Sequence, residues 1–363
     1  MLTMPEMMRL GIIGLPQCGK TTLFNALTGE NRPVHLGGGR LDTQLAVVDV
    51  PDERLDRLAK CFQPQKVTPA RVAFADLGGL ESGAAHKGLP GALLNQLSSM
   101  DGFVHVLRCF EDERVPHTLG SVDPGRDWKQ LEAEFMLYDL LIIERRLERL
   151  NEELRKGGSR ARSEIEREQS LLAEMRKSLE AEQPLRRLSL NAEQRRLISS
   201  FAFLSLKPML LVLNLGEGQP APPWQAENPA EAVIALQGKL EMELRQMPPA
   251  EAQIFQEMYG IAELSLPRLI RQAYALLGLQ TFFTVGEDEV RAWQVWRGAT
   301  AQEAAGVIHT DLMRGFIRAE VIGYAELLEA GGWNEARARG WIRLEGKDYL
   351  LQEGEIMHVR AAT

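Results

Sequence analysis

The chemistry starts at Gly14-Leu-Pro-Gln-Cys-Gly19-Lys20-Thr21, where four residues separate two glycines and Lys-Thr follows the second. Glycines let a loop turn its N–H groups toward an anion, Lys adds a point charge, and Thr offers a hard oxygen to a divalent cation. The chemistry is polyphosphate binding. Gly14, Pro16, Gln17, Cys18, Gly19, Lys20, Thr21 and Thr22 are predicted to cradle a nucleoside triphosphate. Lys20 would meet the β and γ phosphates and act in catalysis, and Thr21 would ligate Mg2+. The apolar run Leu10–Ile13 before the motif reads as a strand. Leu23, Phe24 and Leu27 after it fall at helical spacing. That strand–loop–helix context is what the motif needs.

Two further groups belong to the same chemistry. Asp76-Leu-Gly-Gly79 ends an apolar run; Asp76 is expected to hold Mg2+ through water and Gly79 to sense the γ phosphate through its N–H. The next residue is Leu80, where Ras-type GTPases keep a Gln that orients the attacking water. Leucine cannot do this. At a later strand end, Asn214-Leu215-Gly216-Glu217 stands where GTPases carry Asn-Lys-x-Asp. Asn214, Leu215 and Glu217 are the candidate base-contacting residues. The longer Glu carboxylate moves the acceptor by a methylene, which disfavours guanine.

These residues need a scaffold that gathers strand ends. Leu10–Ile13, Leu45–Val50, Val72–Asp76, Phe103–Leu107, Met209–Leu213 and Ala232–Leu236 read as strands alternating with helices. The expected fold is α/β with a parallel-rich sheet, its ligand at the carboxyl ends of the strands. From Trp128 to Glu182 the apolar spacing turns helical, broken at Arg155-Lys-Gly-Gly-Ser-Arg160. This predicts an inserted antiparallel helical hairpin. Arg155, Lys156, Arg160 and Arg162 at its tip have no acid between Glu153 and Glu164. They form a candidate polyanion or RNA contact, or simply a solvated basic turn. Beyond Leu277 come short β-like runs, Gln280–Val285, Ala292–Val295, Phe316–Val321, Lys347–Leu351 and Ile356–Val359, with a helix at Thr300–His309. The predicted domains are 9–127 with 186–277, the hairpin 128–185, and a β-rich α+β module 278–363.

Composition bounds the rest. A net charge of −8 argues against a general nucleic-acid coat. Cys18, Cys61 and Cys109 form neither a disulfide framework nor a zinc pattern. No signal-peptide core and no run of transmembrane length is visible, so a cytoplasmic protein without a membrane partner is expected. The lack of an obvious apolar stripe favours a monomer.

Gly14-Leu-Pro-x-x-Gly-Lys-Thr-Thr-Leu-Phe-Asn-Ala-Leu-Thr28, Asp76-Leu-Gly-Gly79, His105-Val-x-Arg-Cys-Phe110, Asn214-x-x-Glu217, Tyr274-Ala-Leu-Leu277, Val290-Arg-Ala-Trp293, His309-Thr-Asp311, Gly315-Phe-Ile-Arg-Ala-Glu-Val321 and Leu344-Glu-Gly-Lys-Asp-Tyr349 together resemble the YchF subfamily of Obg-related P-loop NTPases. The resemblance runs nearly the whole chain. It implies a translation-factor-class NTPase domain, a coiled-coil insertion, a C-terminal TGS domain, ATP bound at least as well as GTP, and the ribosome or its subunits as partner. It also implies that a mobile-loop histidine replaces the missing Gln. His117, in Glu111–Gly120, is the matching residue and the third catalytic candidate.

The chain departs from the family at Gly37-Gly-Gly-Arg40-Leu-Asp-Thr43-Gln44, where the family has Phe-Cys-Thr-Ile-Glu-Pro-Asn. Arg40 falls on the family's Mg2+-binding Thr, with Thr43 close by. Gln17 and Cys18 replace Asn and Val. Cys18, among N–H dipoles and beside Lys20, is in a setting that can lower a thiol pKa and make it redox-sensitive, although a packed, inert thiol is the commoner outcome. Three functions fit these residues: a slow ATPase switch, a nucleotide-gated ribosome- or RNA-binding protein with negligible turnover, and an Obg-type GTPase.

Overall fold

The computed structural model describes residues 7–29, 44–78, 89–157, 160–226, 228–258, 261 and 264–362. The chain divides into two compact units. One comprises Arg9–Ala46 and Phe74–Leu266; the other comprises Met1–Met8, Val47–Ala73 and Pro267–Thr363.

One sheet has the order β2-β4-β1-β5-β6-β7, with β1 at Arg9–Ile13, β2 at Gln44–Asp49, β4 at Arg71–Asp76, β5 at Gly102–Arg108, β6 at Met209–Asn214 and β7 at Glu231–Leu236; β1, β5, β6 and β7 lie wholly in the larger unit. Strands β1, β5, β6 and β7 pair in parallel, Ile13 opposite His105 and Arg108 opposite Asn214. Every residue of β5 and β6 is buried, as expected of central parallel strands covered on both faces. All the predicted strands of this sheet are present, each within two residues of its expected bounds.

The P-loop helix, Lys20–Thr28, ends at Gly29, whose left-handed φ of 73° turns the chain out of the helix. A long helix spans Pro124–Lys156. It starts four residues before the predicted Trp128 because Asp123 caps it, accepting from the Arg126 amide, and Pro124 presets the first φ. Its first half lies on the sheet, with Leu131 and Phe135 in one core with Phe103, Met209 and Leu211. Its second half leaves the sheet and pairs with the return helix, Arg162–Glu180, through Ile143, Leu150, Ile165, Leu172 and Met175. Arg146 with Glu168 and Arg160 with Glu153 show that the two helices run antiparallel.

Buried polar groups fix the root of this hairpin. Asp139 accepts from the Leu204 and Ser205 amides and the Ser205 hydroxyl. Burial nevertheless lifts its carboxyl to about 6. Arg186, fully buried, pairs with Glu132 of the long helix and Glu231 of β7.

The smaller unit carries a sheet of order β11-β10-β12-β8-β9-β3. Its strands are β3 at Lys66–Thr68, β8 at Leu279–Thr284, β9 at Glu289–Trp296, β10 at Phe316–Ile322, β11 at Arg343–Glu345 and β12 at Ile356–Ala361. A helix at Ala301–Ile308, held by a Thr300–Glu303 capping box, packs Ala301 and Ala304 on Phe282, Val295, Ala319 and Met357. Two strand assignments need correction. Lys347–Leu351 is not a strand; it makes one bridge, Leu350 with Thr300, while β11 lies earlier. Strand β3, three residues long, has no apolar pattern of its own and exists by pairing with β9.

Candidate functional site

The loop after β1 is shaped by what surrounds it. Gly14 has φ 146°, and a Cβ there would stand 2.5 Å from the Val106 carbonyl of β5. Gly19 has φ 101°, and its Cβ would stand 2.2 Å from Asn214 Nδ2. Only glycine fits either position. Between them Pro16 and Gln17 are partly exposed, and Gln17 also takes a left-handed φ, 63°. Gly19 is the N-cap of the P-loop helix, whose first turn has no acidic residue, so its positive end is not neutralised from within. Lys20 reaches back across the loop, donating from Nζ to the carbonyls of Gly14 at 3.0 Å and Leu15 at 2.9 Å. An ammonium has three N–H groups, and this uses two.

Thr21 and Asp76, far apart in sequence, meet at the mouth of the loop. The Thr21 hydroxyl donates to Asp76 Oδ2 at 3.1 Å, and both residues are partly exposed. Thr22 sits beside Thr21, also partly exposed. Two oxygen donors from two elements suit Mg2+, which keeps several ligands from water and phosphate rather than from a protein cage. Among the described residues no group of three or more His, Cys, Asp or Glu gathers as such a cage.

The end of β6 joins the loop. Asn214 is buried; its Nδ2 donates to the Cys18 carbonyl at 3.0 Å and its Oδ1 accepts from the Gly238 amide at 3.0 Å. Leu215 packs with Leu107, Cys109 and Leu213. Glu217 is exposed in a turn closed by the Gly216 amide donating to Gln219 Oε1 at 2.9 Å. Gln219 in turn donates to the Cys109 carbonyl. Sequence reasoning missed Gly238 and Gln219. The only signal for Gly238 was its place just beyond β7, where it meets Asn214 closely enough that a Cβ would lie 2.9 Å from Oδ1.

His117 lies elsewhere in its bonding. Its Nε2 is 2.8 Å from Asp127 Oδ2, and the Leu119 amide donates to its Nδ1 at 3.1 Å. Its described partners are thus in its own loop and the long helix, not the P-loop. Gly79, Leu80, Arg40 and Thr43 lie outside the described residues.

Two expectations change. Cys18 is buried, and burial pushes its thiol pKa up, with Lys20 pulling the other way and losing. The dipole argument for a reactive thiol fails because desolvation is the larger effect. The hairpin tip is less naked than its spacing implied. Lys156 pairs with Glu152, Arg162 with Glu166, and Arg160 with Glu168 and Glu153, while Arg155 is exposed. Helical geometry brings an acid one turn away to Lys156 and to Arg162, and the hairpin brings Glu153 and Glu168 to Arg160.

Comparison with known proteins agrees with this geometry. A family model described as "50S ribosome-binding GTPase" matches residues 9–136, and the YchF-GTPase C-terminal model, described as a protein of unknown function, matches residues 279–362. The ribosome-binding ATPase YchF of Bacillus subtilis is 37% identical over 362 residues, covering 96% of this chain and 98% of that protein. Its counterpart in Haemophilus influenzae is 38% identical over 361 residues, covering 97% and 98%. The solved structure of the Schizosaccharomyces pombe YchF GTPase superposes with a TM-score of 0.84 at 30% identity, covering 99% of this chain and all of that one.

Proposed function

This chain belongs to the YchF family, and we propose that it is a nucleotide-dependent switch that binds ATP in preference to GTP, hydrolyses it slowly and associates with the ribosome. The observation that carries this is the loop itself: Gly14 and Gly19 in conformations and clearances that admit only glycine, with Lys20 arched over them. In this reading residues 9–127 and 186–277 form the NTPase domain, 128–185 a coiled-coil arm and 278–363 a TGS-like domain.

Within the site, the loop amides from Gly14 to Thr22 hold the phosphates. The remaining Lys20 N–H takes a phosphate oxygen, and the Gly79 amide reports the γ phosphate. Thr21 and Asp76 would hold Mg2+, which would supply charge to offset that of the phosphate oxygens. Asn214 acts by positioning, tying the P-loop to the loop after β7, and leaves base contact to Leu215, Glu217 and neighbouring backbone. The relatives' names divide between ATPase and GTPase, so base choice rests on Glu217 standing in place of Asp. Ribosome association comes from the names of the relatives, with the basic hairpin tip as the supporting feature in this chain. A ribosome partner would place the protein in the cytoplasm.

A second reading, nucleotide-gated binding with negligible turnover, is favoured by one observation: both ring nitrogens of His117 are already engaged. Calorimetric titration of nucleotide-free protein with ATP and GTP, with and without Mg2+, followed by multiple-turnover phosphate release, tests all of this. Tighter GTP binding would return the chain to the GTPases. ATP binding without release would leave the gated binder.

A further inference from the structure

The loop between β5 and the long helix is fastened at both ends. At its start, the buried Arg108 donates from Nε to the Phe110 carbonyl at 3.0 Å and from Nη2 to the Val115 carbonyl at 2.7 Å, its guanidinium 4.5 Å from the Phe110 ring centre. At its end stands His117. Because the Leu119 amide donates to Nδ1, the proton of the neutral ring sits on Nε2 and is given to Asp127 Oδ2 at 2.8 Å. The two side chains are 4% and 3% exposed. Asp127 is itself oriented: its Oδ1 accepts from Arg126 Nε at 3.0 Å and Nη2 at 2.8 Å, and Arg126 Nη2 also donates to the Ser121 carbonyl at 2.7 Å.

A histidine that orients an attacking water must turn a ring nitrogen toward it. In this arrangement neither nitrogen is available, and the ring is shielded from solvent. We propose that Asp127 is a positioning residue that holds His117 in a withdrawn state, so that breaking the Nε2–Asp127 bond is what supplies His117 to the nucleotide. This rests on the reading of the chain as an ATPase that uses His117. Asp127 acts through His117. The bond is charge-assisted and buried, so the withdrawn state is the favoured one and turnover is limited by the fraction released.

Asp127→Asn keeps the shape and the place in the helix but weakens the acceptor. Steady-state ATP hydrolysis is compared among wild type, Asp127→Asn, His117→Ala and the double variant. The expected result is a kcat raised about three- to tenfold in Asp127→Asn with KM little changed, and equal, low rates for His117→Ala with and without Asp127→Asn. Where the wild type hydrolyses ATP, a rate for Asp127→Asn at or below wild type overturns the proposal.

Hydrogen exchange on the unaltered protein covers the case in which the variant does not fold. The Leu119 amide, whose acceptor is His117 Nδ1, is expected to lose protection when Mg2+ and a non-hydrolysable ATP analogue are added. Unchanged protection with the analogue bound overturns the latch. If analogue binds and Leu119 is released but no protein in the series hydrolyses ATP, the enzyme reading fails and the latch stands.

Discussion

Asn214 Nδ2 occupies the space a Cβ on Gly19 would need, 2.2 Å from that position, because the same amide group donates to the Cys18 carbonyl at 3.0 Å. The phosphate loop and the end of β6 are thus one hydrogen-bonded piece, and Oδ1 extends it to Gly238 beyond β7.

Asn214→Ala strands two buried backbone groups, each costing about 1–3 kcal/mol when unsatisfied. Nucleotide affinity is expected to fall by about tenfold or more by calorimetry, with ATP and GTP affected alike. A selective loss of ATP would instead make Asn214 a direct base contact.

Thr21→Ala removes one of the two oxygens that meet at 3.1 Å. Binding of ATP without Mg2+ is expected to persist, and the gain in affinity on adding Mg2+ to vanish. If Mg2+ helps both proteins equally, Thr21 is not a ligand.

His105, in the middle of β5, is fully buried and neither ring nitrogen has a hydrogen-bond partner. Burial, then the charges of Arg186 and Lys20, push its pKa down from 6.5 to about 3. Between these values the unfolded chain takes up a proton that the folded chain refuses. The contribution is fully present above pH 6.5 and is lost as pH falls, by about 1.4 kcal/mol per unit. His105→Leu is expected to flatten the acid limb of the stability curve, read by urea denaturation between pH 7 and 4. Parallel curves would show that His105 finds a proton partner when folded.

Arg186→Met leaves Glu132 buried without its cation and Glu231 with Arg187 alone, at 4.0 Å. Loss of one member of such a group costs about 3–5 kcal/mol, so a clear fall in the denaturation midpoint is expected. Near-unchanged stability would mean that the two carboxyls protonate or repack at little cost.

At the hairpin tip, reversing Arg155, Lys156 and Arg162 to Glu is expected to weaken pelleting with ribosomes most at low salt and to leave ATP affinity unchanged. Arg160 is spared because it pairs with Glu153 of one helix and Glu168 of the other. Identical pelleting across a salt series would remove the tip as a contact.

The sequence by itself determined where the strands of the parallel-rich sheet lie, the helical spacing from Trp128 to Glu182, and a loop whose glycines and Lys-Thr admit little besides phosphate chemistry. These are local properties, set by a few neighbouring residues, and they survive in one chain read alone. Tertiary structure decided what depends on distant partners. The Cys18 thiol pKa is pushed up because surrounding residues bury it. The basic tip was partly neutralised by Glu153 and Glu168, which the hairpin brings to Arg160. Strand β3 exists because β9 offers it an edge. His117, whose type suggested catalysis, is held by an aspartate ten residues on, in another element. Burial, pairing and reach are properties of the space around a residue, and no spacing along the chain encodes them directly.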